Sequence, residues 1–141
     1  MNDRCFLDTN VLVYAHDRSA GWKHQRAAVL TEQLWNDGTG VISTQVLQEF
    51  CYTVRRKLPR PLSLEDTFRV VQQYLAWNVV TNSPTSVLEA IEIEARHKVS
   101  FWDALILHAA SRGGAKTLYT EDFSDGQLYG EIRVMNPFVD R

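Results

Sequence analysis

Cys5-Phe6-Leu7-Asp8-Thr9-Asn10-Val11-Leu12-Val13-Tyr14-Ala15 is the stretch on which the fold turns. Three apolar residues make a short strand, a carboxylate follows at once, and a second apolar run begins beyond Thr9-Asn10. An acid at that junction stands at the C-terminal edge of a first parallel strand, the rim where open α/β sheets bind ligands. Three further acids, Glu49, Asp103 and Asp122, stand where later elements can bring them to the same rim. Together they point to a cation site that handles phosphates.

Working outward, strand-like runs at 4–7, 40–43, about 77–80, 117–120 and 131–135 alternate with helical patterns, which predicts a mainly parallel sheet with helices on both faces. The first helix starts near Asn10 and a second covers Lys23 to Asp37, ending before Gly38. A third begins after Ser43 or Thr44, places Val46, Leu47, Phe50, Cys51 and Val54 along one stripe, and stops before Pro59. Another covers about 64–76, with Phe68, Val71 and Leu75 as its apolar residues. Ser83-Pro84-Thr85 opens a helix to His97 in which Val87, Leu88, Ile91 and Ala95 face inward and Glu89, Glu92 and Glu94 form a solvated face. Ser100 caps a last helix, Phe101 to Arg112, so apolar around its circumference that it should be deeply buried.

A chain of 141 residues with 45% hydrophobic content fits one domain, 1–141, with a real core. A net charge of -2 and a pI near 6.1 exclude a generally basic nucleic-acid coat, so any nucleic acid must be met by a local patch. Cys5 and Cys51 have neither zinc-site spacing nor the number of a disulfide scaffold, and read as buried thiols in a reducing compartment. Charge precedes any apolar stretch at the N-terminus, and nowhere do about 18 apolar residues run together, the minimum for a membrane span. The expectation is a cytoplasmic protein with no membrane association.

Each acid has a plain structural explanation beside the functional one. Asp8 can be an N-cap for the helix that follows it. Asp103 can close a Ser-x-x-Asp capping box with Ser100, yet a carboxylate in the first turn of a buried helix must be capped, paired or metal-bound to offset desolvation. Glu49 lies outside the apolar stripe of its helix, where solvent normally is, but within the first two turns after strand two. Asp122 falls in the polar loop Thr120-Glu121-Asp122-Phe123-Ser124-Asp125-Gly126. It shares strand parity with Thr120 and is preferred to Glu121, with Asp125 as a supplement. Four carboxylates match the hard oxygen ligands that Mg²⁺ or Mn²⁺ prefers. Gathered without a cation they repel by roughly 4 kcal/mol per close pair at an effective dielectric near 20.

These segments resemble the four motifs of PIN-domain ribonucleases, in particular the VapC-type toxins of bacterial toxin-antitoxin pairs. Phe6 to Ala15 resembles the first motif, Ile42-Ser43-Thr44-Gln45-Val46-Leu47-Gln48-Glu49-Phe50 the second, Ser100-Phe101-Trp102-Asp103-Ala104-Leu105-Ile106 the third, and Leu118-Tyr119-Thr120-Glu121-Asp122-Phe123 the fourth. The resemblance covers nearly the whole chain and no motif position is missing. It implies a three-layer α/β/α sandwich and a Mg²⁺ or Mn²⁺ site of Asp8, Glu49, Asp103 and Asp122, with Asn10 and Thr120 orienting those carboxylates or their waters. It further implies endonucleolytic cleavage of RNA, a homodimer, and inhibition by a cognate antitoxin.

Basic candidates for holding RNA are Arg55, Arg56 and Lys57 with Arg60, then Arg96 with Lys98, and Arg112 with Lys116, all also explicable as solubilised helix ends. The four histidines share no spacing and the four tryptophans lie on amphipathic segments, so packing is expected to explain both sets. A phosphotransferase of the haloacid-dehalogenase type would need an acid two residues after Asp8, where Asn10 stands. The remaining rivals are a receiver-like Mg²⁺-binding switch and a non-catalytic interaction module on the same fold.

Overall fold

Phe6 and Leu7 are both completely buried, so the first strand is covered on both faces. The computed structural model describes residues 2–139. Strands β1 (Arg4–Leu7), β2 (Gly40–Ser43), β3 (Asn78–Val80), β4 (Ala115–Tyr119), β5 (Leu128–Tyr129) and β6 (Ile132–Met135) form one sheet in the order β3-β2-β1-β4-β6-β5. All pairings are parallel except β5 with β6. Helices α1 (Thr9–His16), α2 (Trp22–Asp37), α3 (Thr44–Arg56) and α4 (Leu64–Tyr74) pack on one another, and α5 (Pro84–His97) packs on α6 (Phe101–Arg112). The result is the three-layer α/β/α sandwich that the alternation predicts. The chain leaves β1 for β2 on one side and returns at β4 on the other, so the topological switch point opens between β1 and β4.

Local chemistry sets the helix starts. Ser43 Oγ accepts the Val46 N–H at 3.3 Å and Ser100 Oγ accepts the Asp103 N–H at 3.1 Å, so α3 and α6 each begin on a serine cap. The stripe expected on α3 forms, with Val46, Leu47, Phe50 and Val54 buried and Cys51 half-buried. Ala104 through Ala110 of α6 are all buried, as the apolar circumference required. The unexpected strand is β5, two residues at the sheet edge, too short for any periodicity to register.

Three expectations about burial fail. On α5 the inward residues are Ser86, Ala90 and the half-buried Ile93, while Val87, Leu88 and Ile91 stay exposed and so does Ala95. Small side chains at Ser86 and Ala90 let α5 lie close on α6 and leave its longer apolar residues facing away. On α4 Thr67 and Tyr74 are buried, whereas Leu64 and Phe68 are each 70% exposed and Leu75 is 60% exposed. Of the tryptophans only Trp77 is in the core; Trp22, Trp35 and Trp102 lie on outward helix positions. Glu89 stays exposed, as the solvated face required, and from there it pairs with Nε2 of the buried His108.

His16 closes the end of α1 against Phe50 and Tyr74, its Nε2 bonded to the Tyr74 hydroxyl at 2.8 Å. Burial pushes its pKa down to about 4, so the ring is neutral in the fold. Nearby, a Cβ added to Gly40 would stand 2.4 Å from a ring carbon of Trp77, which is itself buried against Tyr74 and Trp35. Gly40→Ala should therefore lower the urea midpoint at unchanged slope, by about 1–3 kcal/mol of overpacking strain; a midpoint equal to the parent's would mean that the Trp77 ring is free to move.

Candidate metal centre

Asp8 ends β1 and caps α1, and its backbone N–H bonds Tyr119 O at 3.0 Å, which ties the end of β1 to the end of β4. Its side chain is only 6% exposed. Oδ1 accepts the Thr9 N–H at 2.7 Å and Oδ2 accepts the Thr120 hydroxyl at 2.8 Å. The cap and the site are thus one residue.

Thr120 is fully buried and its hydroxyl is saturated. Its oxygen receives the Asn10 amide at 3.3 Å and the Asp122 N–H at 3.1 Å, so the one hydroxyl proton has to point at Asp8. Asn10 also donates to Asp122 Oδ2 at 2.9 Å and accepts the Glu121 N–H at 3.3 Å. Glu121 is held elsewhere: Tyr14 and Lys23 donate to its two oxygens at 2.7 and 2.9 Å. Glu49 is exposed on α3, and its Oε1 accepts the Thr9 hydroxyl at 2.6 Å. Thr9 is the residue of this set that sequence reasoning passed over, although it lies inside the first motif.

Asp103 stands half-buried in the first turn of α6. Its backbone N–H makes the Ser100 bond, but no reciprocal bond from its carboxylate to the Ser100 N–H completes a capping box. Desolvation raises its pKa above the usual carboxylate range, the Ser100 hydroxyl lowers it, and the charges of Asp122 and Glu49 raise it further. Asp8 responds in the same way: burial pushes its pKa up to about 7, the Thr120 and Thr9 bonds oppose that, and again Asp122 and Glu49 add to it. The four carboxylates therefore share one electrostatic field. They do not yet share ligating distance, since among the described residues no three acidic, His or Cys side chains are close enough to hold one ion. Hydrogen bonds to Thr9 and Asn10 draw Glu49 and Asp122 toward α1, and like charge favours separation. Asp125 lies apart from the four, its Oδ1 accepting the Asn136 N–H at 2.8 Å.

A cleft of about 660 Å³ runs from this cluster between α1 and α3, lined by Asn10, Tyr14, Glu49, Tyr52, Lys57 and Asp122 among others. Of the expected basic cluster, Lys57 lines it, whereas Arg55 folds back so that Nε donates to Cys51 O at 3.2 Å.

The model of the PIN domain matches residues 5–124, a span that contains all four acids. The chain belongs to the PIN-domain family. Among solved structures, this PIN domain is similar to a toxin-antitoxin complex from Klebsiella pneumoniae, with a TM-score of 0.70 and 18% identity over 95% of this chain and 98% of that one. It is also similar to VapC20 of Mycobacterium tuberculosis, described as a sarcin-ricin-loop-cleaving toxin, with a TM-score of 0.62 and 19% identity over 84% and 89% of the two chains. DNA-bound VapBC from Salmonella typhimurium gives a TM-score of 0.62 and 20% identity over 96% and 99%. At such identities the likeness establishes the shared fold. No curated protein matches the chain in sequence. Among the described residues, no helix is long and apolar enough to cross a membrane.

The field at Asp8 has a measurable consequence. Its folded pKa of about 7 lies above the 3.8 of an exposed carboxyl, so the folded chain binds the extra proton between those values. That contribution to stability is complete at low pH and is lost as pH rises through the window, roughly 4 kcal/mol at most. His16 works the other way, present above its unfolded value of 6.5 and lost as pH falls toward about 4. Without divalent ions the two should nearly cancel, leaving the parent's urea midpoint almost flat between about pH 4.5 and 6.5. Asp8→Asn should make the midpoint rise with pH and His16→Gln should make it fall; a flat His16→Gln profile would mean that Asp8 is already ionised in the fold.

Proposed function

We propose that this PIN-domain protein is a metal-dependent endoribonuclease and the toxin of a toxin-antitoxin pair, working in the cytoplasm as a single nuclease domain. The observation that carries this is the common field at the C-terminal rim: the charges of Glu49 and Asp122 act on both Asp8 and Asp103, from four separate segments. A structural cap has no need of three other acids around it.

The donor set fits a hard divalent cation, Mg²⁺ or Mn²⁺, held chiefly by Asp8 and Asp103, with Glu49 and Asp122 binding through water or completing a second position. Such an ion supplies a coordinated water of lowered pKa and neutralises charge on a phosphodiester. The chain's own residues do the rest. Thr120 fixes the Asp8 carboxylate by a hydroxyl whose direction is determined, and Asn10 ties Asp122 to the same hydroxyl. Thr9 holds Glu49 at the mouth of the cleft. Burial keeps a proton on Asp8 near neutral pH, and that proton must leave when the carboxylate becomes a ligand, so cation uptake and proton release are linked.

An antitoxin partner is the reading favoured by solved relatives that are themselves toxin-antitoxin complexes. A homodimer is favoured by the outward apolar face of α5, where Val87, Leu88 and Ile91 lie on adjoining turns. Sedimentation of the purified chain should give twice 16.2 kDa, and Leu88→Arg should reduce it to one; an unchanged mass in that variant would remove α5 from the interface.

Purified protein incubated with total RNA should give discrete products with Mg²⁺ or Mn²⁺ and none with EDTA. Asp8→Asn and Asp103→Asn should each cut at least ~100-fold more slowly, and Thr120→Val should weaken cation affinity by ~10–100-fold. Intact RNA under every condition, with the protein folded and free of partners, would sink the nuclease and leave an interaction module.

A further inference from the structure

Tyr52 is 53% exposed although it belongs to a helix whose other face is core. It lines the same cleft as Glu49 and Asp122, and it stands three residues beyond Glu49 on α3, about 4.5 Å along the helix axis. That offset is close to the spacing of neighbouring nucleotides, about 3.4 Å along one strand of a duplex and more when the bases are splayed. The Arg56 guanidinium lies 5.1 Å and the Lys57 ammonium 5.7 Å from the centroid of the Tyr52 ring. Among the described residues neither cation is paired with a carboxylate.

A flat π surface flanked by two such cations, one helical turn from an acid cluster, matches a nucleotide: the base on the ring, the phosphates on the cations. It also answers a difficulty of the site. Four acids on a chain of net charge -2 repel a polyanion, and two cations at the cleft offset that repulsion locally. The cleft wall joins Val13, Tyr14 and Leu58 to the polar Thr9, Asn10, Gln48 and Thr53, and Lys57 on that wall gives it the positive charge that a phosphate backbone needs.

We infer that Tyr52 is a base-stacking platform, with Arg56 and Lys57 as its phosphate contacts, for a nucleotide adjoining the phosphodiester at the acid cluster. This rests on the nuclease reading and names residues that position its substrate. Stacking on an aromatic ring is sequence-tolerant, so the platform sets where an unpaired RNA lies and leaves base identity to other contacts.

The test is anisotropy of a fluorescein-labelled, mixed-sequence, unpaired RNA of eight nucleotides, bound to the Asp8→Asn chain in Mg²⁺ so that it is not cut. Adding Tyr52→Ala or Tyr52→Leu should each raise Kd ~10-fold, and Tyr52→Trp should restore it. Arg56→Gln and Lys57→Gln should each lower the salt slope of log Kd by about one. An RNA with one abasic position should reproduce the Tyr52→Ala loss and add nothing to it. If Tyr52→Leu binds as tightly as tyrosine, the ring is only filling space and the platform is overturned. The same follows if Tyr52→Ala changes antitoxin affinity but not RNA affinity, which would give the ring to a protein partner. Normal binding and cutting by Tyr52→Ala would overturn this proposal alone, whereas a parent chain that neither binds nor cuts RNA would overturn the nuclease reading with it.

Discussion

The hydrogen bond from the Thr120 hydroxyl to the buried carboxylate of Asp8 is the contact on which the rest of the site depends. It spans the switch point between β1 and β4, and it can form only when those strands are adjacent and in register. Both acceptor positions of the same hydroxyl are used, one by the Asn10 amide and one by the Asp122 backbone, so α1, the end of β4 and the loop beyond it are joined at one oxygen. Leu7 pairs with Tyr119 in the sheet, and that register puts Asp8 and Thr120 opposite each other. A slip of one residue would turn them to opposite faces.

Around that bond the fold keeps carboxylates at the edge of what burial tolerates. Asp8 is desolvated by the core beneath it and raised by the charges of its neighbours, while two hydrogen bonds lower it again. Glu49 and Asp122 remain in solvent, tethered by Thr9 and Asn10. Exposed apolar side chains lie on α4 and α5, among them Leu64, Phe68, Leu88 and Ile91, and on α6, where Trp102 is 63% exposed.

The alternation of short strands and capped helices made most of the architecture readable in advance. β1, β2 and α6 have the bounds that the runs 4–7 and 40–43 and Ser100 with Arg112 indicate, because caps and short strand-like runs are local signals. The inward faces of α4 and α5 were not readable. Amphipathic periodicity says that a helix has an apolar side, but not whether that side meets the protein or is left open for a partner. On α5 the small residues Ser86 and Ala90 prevailed, since they let the helix approach α6 most closely.

By itself the sequence determined the layered α/β architecture, the four acid-bearing segments and their order, all of which are written in patterns a few residues long. Only the tertiary structure decided that Glu49 and Asp122 act on both Asp8 and Asp103, that Glu121 is bound instead by Tyr14 and Lys23, and that Tyr52 opens into the cleft beside Glu49. Those facts concern pairs far apart along the chain. Their distance is set by how strands register and helices pack, which no local pattern encodes.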